Sequence, residues 1–171
     1  MIQMLKHINN ERGFISVKLM AFGMIFWIAV VTVFLSFFIA VQTKGTMTYD
    51  WFEEALGTAT FAANIDGDTS KVASNEPLAM SYFMKFFADM TNCTVSGNTL
   101  TPKTNDYPGP IELTEFKTVS PGEYIPNGTA KQPGYLATIQ VPVFGGNLPL
   151  IGPQYLTIPM KSFQVVKSSD I

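Results

Sequence analysis

Hydrophobic residues follow different patterns in successive parts of this chain. From Leu19 to Val41 they form a continuous run that no charged side chain interrupts. A run of about 23 residues makes a helix of roughly 35 Å at about 1.5 Å per residue, against a hydrocarbon thickness of about 30 Å, and so predicts a bilayer-spanning helix. From Thr46 to Asn64 the run gives way to a periodic pattern. Met47, Trp51, Ala55, Ala59 and Ala62 recur at helical spacing, and Phe52, Leu56 and Phe61 widen the stripe. Gly45 and Gly57 lower the propensity without stopping the helix. The expectation is one long helix, with Gly45 as the place for a bend, that leaves the bilayer and continues into a folded part. Asp66–Asn75 is polar throughout most of its length and predicts a loop. A second helix is expected from Glu76 to Thr91, with Asn75 as N-cap, Pro77 in the first turn and Leu78, Phe83, Met84, Phe86, Phe87 and Met90 on its buried face.

From Cys93 onward the pattern changes to strand and turn. Ser96-Gly97-Asn98-Thr99 predicts a hairpin turn, and Pro102–Pro110, with its three prolines and a glycine, a loop. Strands are expected at Ile111–Val119, Tyr135–Phe144 and Tyr155–Lys167. The alternation of Ile139, Val141 and Val143 with Thr138, Gln140 and Pro142 is that of a half-buried antiparallel strand. Pro142 and Pro159 inside these runs point to edges or bulges, and Gly145-Gly146 reads as a turn. The fold class is therefore α+β: a long N-terminal hydrophobic helix, a second short helix and a small C-terminal antiparallel sheet. The segments are a basic leader at 1–18, a membrane helix at 19–41, extracytoplasmic helices at 42–91 with a loop at 65–75, and a β-rich portion at 92–171. There is no internal repeat.

The flanks of the apolar run set an expected orientation. Lys6, Arg12 and Lys18 precede it with Glu11 as the lone acid, whereas Lys44 is followed by Asp50, Glu53 and Glu54. This bias places the N-terminus in the cytoplasm and about 130 residues outside. A cleaved secretory signal has an apolar core of about 7–15 residues ending in small side chains. Here the run ends Phe37-Phe38-Ile39-Ala40-Val41-Gln42, so a retained anchor is expected. The net charge of -2 leaves no basic stripe beyond the run, and nucleic acid is not an expected partner. Cys93 is the only cysteine, which excludes an internal disulfide and a Cys/His zinc cluster. It reads as a small buried side chain, with an intermolecular disulfide as the alternative.

Candidate chemistry is sparse, and no cofactor is expected. Asp66-Gly67-Asp68-Thr69-Ser70 resembles the opening of a calcium loop, but the position where an EF-hand needs its bidentate glutamate is Pro77. A solvated turn capped by Asp66 or Asp68 is the simpler expectation. The only histidine, His7, precedes the apolar run, so a Ser-His-Asp or Cys-His system in the outer portion is excluded. Glu112 and Glu115, three apart on a strand, are expected on opposite faces, too far apart for shared acid-base work. Asn92-Cys93-Thr94 and Asn127-Gly128-Thr129 match the glycosylation pattern, which arises often by chance. Within the apolar run, Phe22, Phe26, Trp27, Phe34, Phe37 and Phe38 alternate with small Ala21, Gly23, Ala29, Ser36 and Ala40, a surface suited to close helix packing in lipid.

The segment Glu11-Arg12-Gly13-Phe14-Ile15-Ser16-Val17-Lys18-Leu19-Met20 resembles the class III signal of type IV pilins and pilin-like proteins: a short basic leader ending in glycine, a phenylalanine, then an apolar helix. The resemblance implies cleavage by a prepilin peptidase between Gly13 and Phe14, membrane retention by the apolar helix, and later packing of that helix with its own or other pilin-like subunits. The general plan, with an Arg-Gly near one membrane helix, an Ala-rich continuation at Ala55–Ala63 and a β-rich end, is similar to TadE-like pilus-assembly proteins. Major pilins carry a glutamate at the fifth mature position, where this chain has Lys18, and a lysine cannot accept a neighbour's amine. A minor, initiating or accessory subunit fits that departure better. The alternative is a permanent single-pass anchor whose outer domain binds a protein or wall component. A membrane-tethered enzyme is disfavoured by the missing histidine.

Overall fold

A computed structural model describes residues 2–148 and 152–167, with side chains described for 17–146, 152 and 154–167. The chain divides into two compact units, Met1–Gln42 and Thr43–Ile171. Helix α1 (Ile2–Ala63) contributes to both, and both Gly45 and Gly57 are helical. A single 3₁₀ turn (Thr69–Lys71) leads to α2 (Glu76–Met90). Among the described residues seven strands follow: β1 (Cys93–Ser96), β2 (Thr99–Pro102), β3 (Ile111–Val119), β4 (Tyr124–Ile125), β5 (Gly128–Thr129), β6 (Gly134–Leu148) and β7 (Gly152–Val165). The class is α+β, as the pattern predicts.

The second unit is two-layered. Its sheet is antiparallel in the order β1-β2-β3-β6-β7, and β4 and β5 form a separate small hairpin. Residues of α1 from Phe52 to Ala63 and of α2 share one core with Leu100, Ile111, Leu113, Tyr135 and Ile139 of the sheet. The α1 stripe is rotated from the expected one. Thr48, Phe52, Ala55, Leu56, Ala59, Thr60, Ala63 and Asn64 are buried, whereas Met47 is half exposed and Phe61 is 72 % exposed. Polar side chains can take these inward positions because each finds a partner: Thr60 Oγ1 donates to Leu56 O at 2.7 Å, and Asn64 Nδ2 to Thr60 O at 3.0 Å.

Helix α2 buries Ala79, Phe83, Met84, Phe87 and Ala88, and Leu78, expected on this face, is exposed. Asn75 precedes the helix but does not cap it. Its backbone is already helical, and its amide instead donates to Ala63 O at 2.9 Å and Asn64 Oδ1 at 3.0 Å, closing the end of α1. Thr91 ends α2, and Asn92, at φ 53°, turns the chain into β1 in the left-handed conformation that asparagine tolerates.

The predicted hairpin turn is present as Gly97-Asn98 between paired Ser96 and Thr99, and Gly97 sits at φ 60° where a two-residue hairpin loop needs glycine. Both prolines behave as their positions demand. Pro159 lies on β7, an edge strand, and Pro142 adjoins a bulge between Pro142 and Phe144, beyond the part of β6 that pairs with β3. The bulge also breaks the expected alternation, leaving Pro142 buried and Val143 only partly so. Gly145 and Gly146 are not a turn. They continue β6 opposite Tyr155 and Gln154, and Gly145 has no room for a side chain because a Cβ there would lie 2.7 Å from Pro108 Cβ and 2.9 Å from the Tyr155 ring.

Candidate functional site

In the first unit the side chains from Val17 to Ala40 form a nearly continuous exposed apolar surface. Phe22, Trp27 and Phe34 are each about two-thirds or more exposed. This is the one segment among the described residues long and apolar enough to cross a membrane. An exposed apolar surface of such extent is not sustained by a water-soluble monomer. Its hydroxyl at Thr32 is satisfied within the helix, where Oγ1 donates to Ile28 O at 2.8 Å, as a polar group facing hydrocarbon requires. A Cβ built on Gly23 meets nothing within 4 Å, so that small position is open for approach by another helix.

The sequence-derived processing residues Gly13 and Phe14 fall on the backbone of α1, and their side chains, like that of His7, lie outside the described ones. Lys18 is exposed at the start of the apolar surface. Asp66 and Asp68 are brought together, but around a cation the chain itself supplies. Lys71 Nζ lies 3.1 Å from Asp66 and 3.2 Å from Asp68. Asp68 Oδ1 also accepts from Ser70 N at 3.0 Å and Ser70 Oγ at 2.6 Å, capping the 3₁₀ turn. Hydrogen bonds from Lys71 hold the Asp66 carboxyl below its ordinary range, and those from Ser70, then Lys71, do the same for Asp68. Among the described residues no group of His, Cys, Asp and Glu is arranged to hold a metal ion.

The carboxylates of β3 need a correction. A bulge between Leu113 and Glu115 absorbs one residue, so Glu112 faces Gln140 and Glu115 faces Thr138 across the ladder. Gln140 and Thr138 are two apart on β6 and share a face, so Glu112 and Glu115 share it too. Glu115 is nonetheless unsuited to proton transfer near neutrality. Lys117 Nζ lies 2.7 Å away and Lys161 Nζ 3.5 Å, and Thr138 Oγ1 donates to Glu115 at 3.1 Å. The Lys117 bond foremost keeps its carboxyl below the usual range.

Cys93 is buried at the start of β1 with Sγ 3.5 Å from Thr91 O, and burial pushes its thiol up from the ordinary value. A buried, protonated thiol is a poor nucleophile, which is the packing role expected for it.

Several polar contacts that the sequence pattern does not reveal tie the second unit together. Tyr135 OH donates to Val72 O at 2.8 Å and accepts from Asn64 Nδ2 at 3.2 Å, linking sheet, loop and helix end. Glu76 Oε2 accepts from Thr118 N at 2.7 Å and Thr118 Oγ1 at 2.6 Å, holding the start of α2 to β3. Near the start of this unit, Thr48 Oγ1 and Tyr107 OH are 2.9 Å apart, and Lys44 Nζ stands 4.8 Å over the Tyr107 ring. Burial raises the phenols of both Tyr107 and Tyr135 above their usual value, so both stay protonated. Thr60 and Asn64, four apart, are neighbours at helical spacing and could have been read together; the long-range partners of Thr48 and Asn64 carry no mark in the local pattern.

Comparison of the chain with protein-family models, with curated proteins and with solved structures finds no match in any of the three.

Proposed function

We propose that the chain is a non-enzymatic, single-pass pilin-like or TadE-like subunit, held in the cytoplasmic membrane by its apolar helix and assembled by lateral packing of that helix into a pilus or a related secretion or DNA-transfer machine. The observation that carries this reading is the outward apolar surface from Leu19 to Val41, which has large aromatic side chains beside open small positions. Lipid covers such a surface in the unassembled subunit and neighbouring helices cover it after assembly, since helix association in a bilayer depends on close packing rather than on contrast with the solvent. The basic leader and Gly13-Phe14 support processing by a prepilin peptidase on the cytoplasmic side. The folded unit, with Asp66, Asp68 and Glu115 paired to lysines and its cysteine buried, supports a role in contact rather than in chemistry.

Lys18 favours a second reading, a permanent anchor with a protein- or wall-binding outer domain, because a lysine beside an apolar helix also serves as a flank that reaches the headgroups. The two readings separate on the N-terminus of the mature protein. Intact mass and N-terminal sequence of a C-terminally tagged chain, purified from membranes with and without the host's prepilin peptidase, should give a peptidase-dependent start at Phe14. A start at Met1 in both strains would remove the pilin-like reading and leave the anchor.

A further inference from the structure

Strand β1 is the outermost strand on one side of the sheet, and its register decides which of its backbone groups are free. Lys103 N donates to Asn92 O at 3.1 Å, which makes these two residues a hydrogen-bonded pair of the antiparallel ladder. Such pairs alternate along a ladder, so Thr94 and Ser96 bond to Thr101 and Thr99, whereas Val95 stands opposite Leu100 in a non-bonded pair. The N–H and C=O of Val95 therefore point away from β2, and no strand among the described residues receives them. The other edge strand, β7, carries Pro159 and Lys161, which oppose the addition of a further strand; β1 carries neither proline nor charge.

An apolar groove runs beside this edge. Cys93 is buried in the core shared with the helices, and Val95, two residues on, points to the same face of the sheet, where it is 48 % exposed. Val95 lines the groove with Gly97 of the turn and with Met80, Ser81, Met84 and Lys85 of α2. Met80 and Met84, like Ser81 and Lys85, lie about one helical turn apart, so a single edge of α2 forms the opposite wall. A Cβ built on Gly97 meets nothing within 4 Å, which leaves the end of the groove open to a second backbone. Lys85 is exposed and makes no ion pair among the described residues.

We propose that this groove takes an extended segment of a partner protein, apolar at alternate positions and carrying a carboxylate, which adds to the sheet as a further strand beside β1. Each feature of the walls selects one feature of that segment. The N–H and C=O of Val95 are met by the backbone of an extended chain and not by a helix, whose own groups are bonded internally. Alternate side chains of the segment then fall on the groove side of the sheet, against Met80 and Met84, whose flexible thioethers adapt to different shapes. The Lys85 ammonium provides the complementary charge for a carboxylate. Because β1 is only four residues long, the backbone bonds are few and the contacts with α2 carry the selectivity. The site lies wholly within the second unit and goes beyond the reading above, serving an assembled subunit and a permanent anchor alike.

The test selects a random peptide library displayed on phage against the full chain in mild detergent, then titrates the selected peptides, synthesised with a fluorophore, by polarisation. Peptides with apolar residues at alternate positions and an acid should emerge. Val95→Pro removes the outward N–H without touching a bond to β2 and should weaken these peptides several-fold, whereas Val95→Ile keeps the N–H and should not. Lys85→Glu should also weaken them several-fold and should restore binding to versions whose acid is replaced by lysine. Lys85 is an exposed side chain, so this charge exchange tests the site even where Val95→Pro unsettles the strand. Failure to select any peptide, or equal affinity of the selected peptides for the unaltered chain, Val95→Pro and Lys85→Glu, would overturn the site. Protection of the Val95 amide from hydrogen exchange that rises with the concentration of the chain alone would also overturn it, since a second copy would then cover the edge.

Discussion

Replacing Phe52 by alanine tests whether the Thr43–Ala63 part of α1 is a wall of the folded unit or an appendage to it. Phe52 is fully buried, with its ring edge-on to Phe83 at 5.7 Å and to Phe87 at 6.0 Å. Truncating a buried phenylalanine costs about 3–5 kcal/mol through lost transfer energy and the cavity left behind. Edge-to-face contacts account for about 0.5–1.5 kcal/mol per pair beyond area. The surrounding rings belong to α2, itself pinned to β3 by Glu76, so the site has little freedom to collapse and a value near 4 kcal/mol is expected. Against a typical domain stability of about 5–15 kcal/mol this is a large fraction, and at about 1.4 kcal/mol per tenfold it lowers the folded-to-unfolded ratio by roughly 10³. The assay is urea unfolding of the full chain in mild detergent, followed by Trp51, which packs against the core, in a Trp27→Phe background. The midpoint should fall while the slope stays constant. Phe61→Ala, on the same helix but exposed, should change stability by no more than about 0.5 kcal/mol. A loss below about 1 kcal/mol for Phe52→Ala, or equal losses for the two, would refute the inward face assigned to this helix.

Glu76→Ala should cost about 1–3 kcal/mol in the same titration by leaving the Thr118 amide and hydroxyl without their acceptor; unchanged hydrogen exchange at the Thr118 amide would contradict the role. Glu115 has a carboxyl pKa depressed in the folded state, chiefly by Lys117, so its contribution is present above the ordinary carboxylate pKa and is lost as pH falls through the folded value. Lys117→Met should therefore be slightly less stable than the unaltered chain near neutrality, with the gap closing on acidification; a gap independent of pH would rule out the pairing as its source. Lys18→Glu should impair assembly while leaving membrane insertion intact if Lys18 meets an acid of a neighbouring subunit, as read from filament yield against the alkali-resistant membrane fraction; undiminished yield would count against that contact.

What the sequence revealed follows the range of the interactions involved. The two helices, the Gly97-Asn98 turn, Ile111–Val119 as a strand and the proline positions were legible, because each is set by neighbours within a few residues. The errors arose where a distant partner outweighed the local pattern. Thr48 is buried because Tyr107 accepts or donates beside it, and Asn75 gives up a cap because the end of α1 offers carbonyls to its amide. Gly145 lies in a strand, paired with Tyr155, and its lack of a side chain serves close packing against Pro108 and Tyr155 rather than a turn. The shared face of Glu112 and Glu115 depends on a bulge, and a bulge inverts every later position relative to a strict period of two.

The same contrast bears on function, because α1 satisfies its polar groups in two different ways. At Thr32 the hydroxyl turns back onto its own helix, so that stretch needs nothing outside itself and can face lipid on every side. At Thr48 and Asn64 the polar side chains reach Tyr107 and Tyr135, far away in sequence, so that stretch is complete only when the sheet is folded against it. A stretch of helix that is internally satisfied can exchange lipid for another helix without breaking a hydrogen bond, whereas one tied to a sheet cannot change partners without exposing Thr48, Asn64 and the Phe52 pocket. On the assembly proposed above, exchange of neighbours would therefore be confined to the apolar stretch, and the folded unit would be carried through it unchanged.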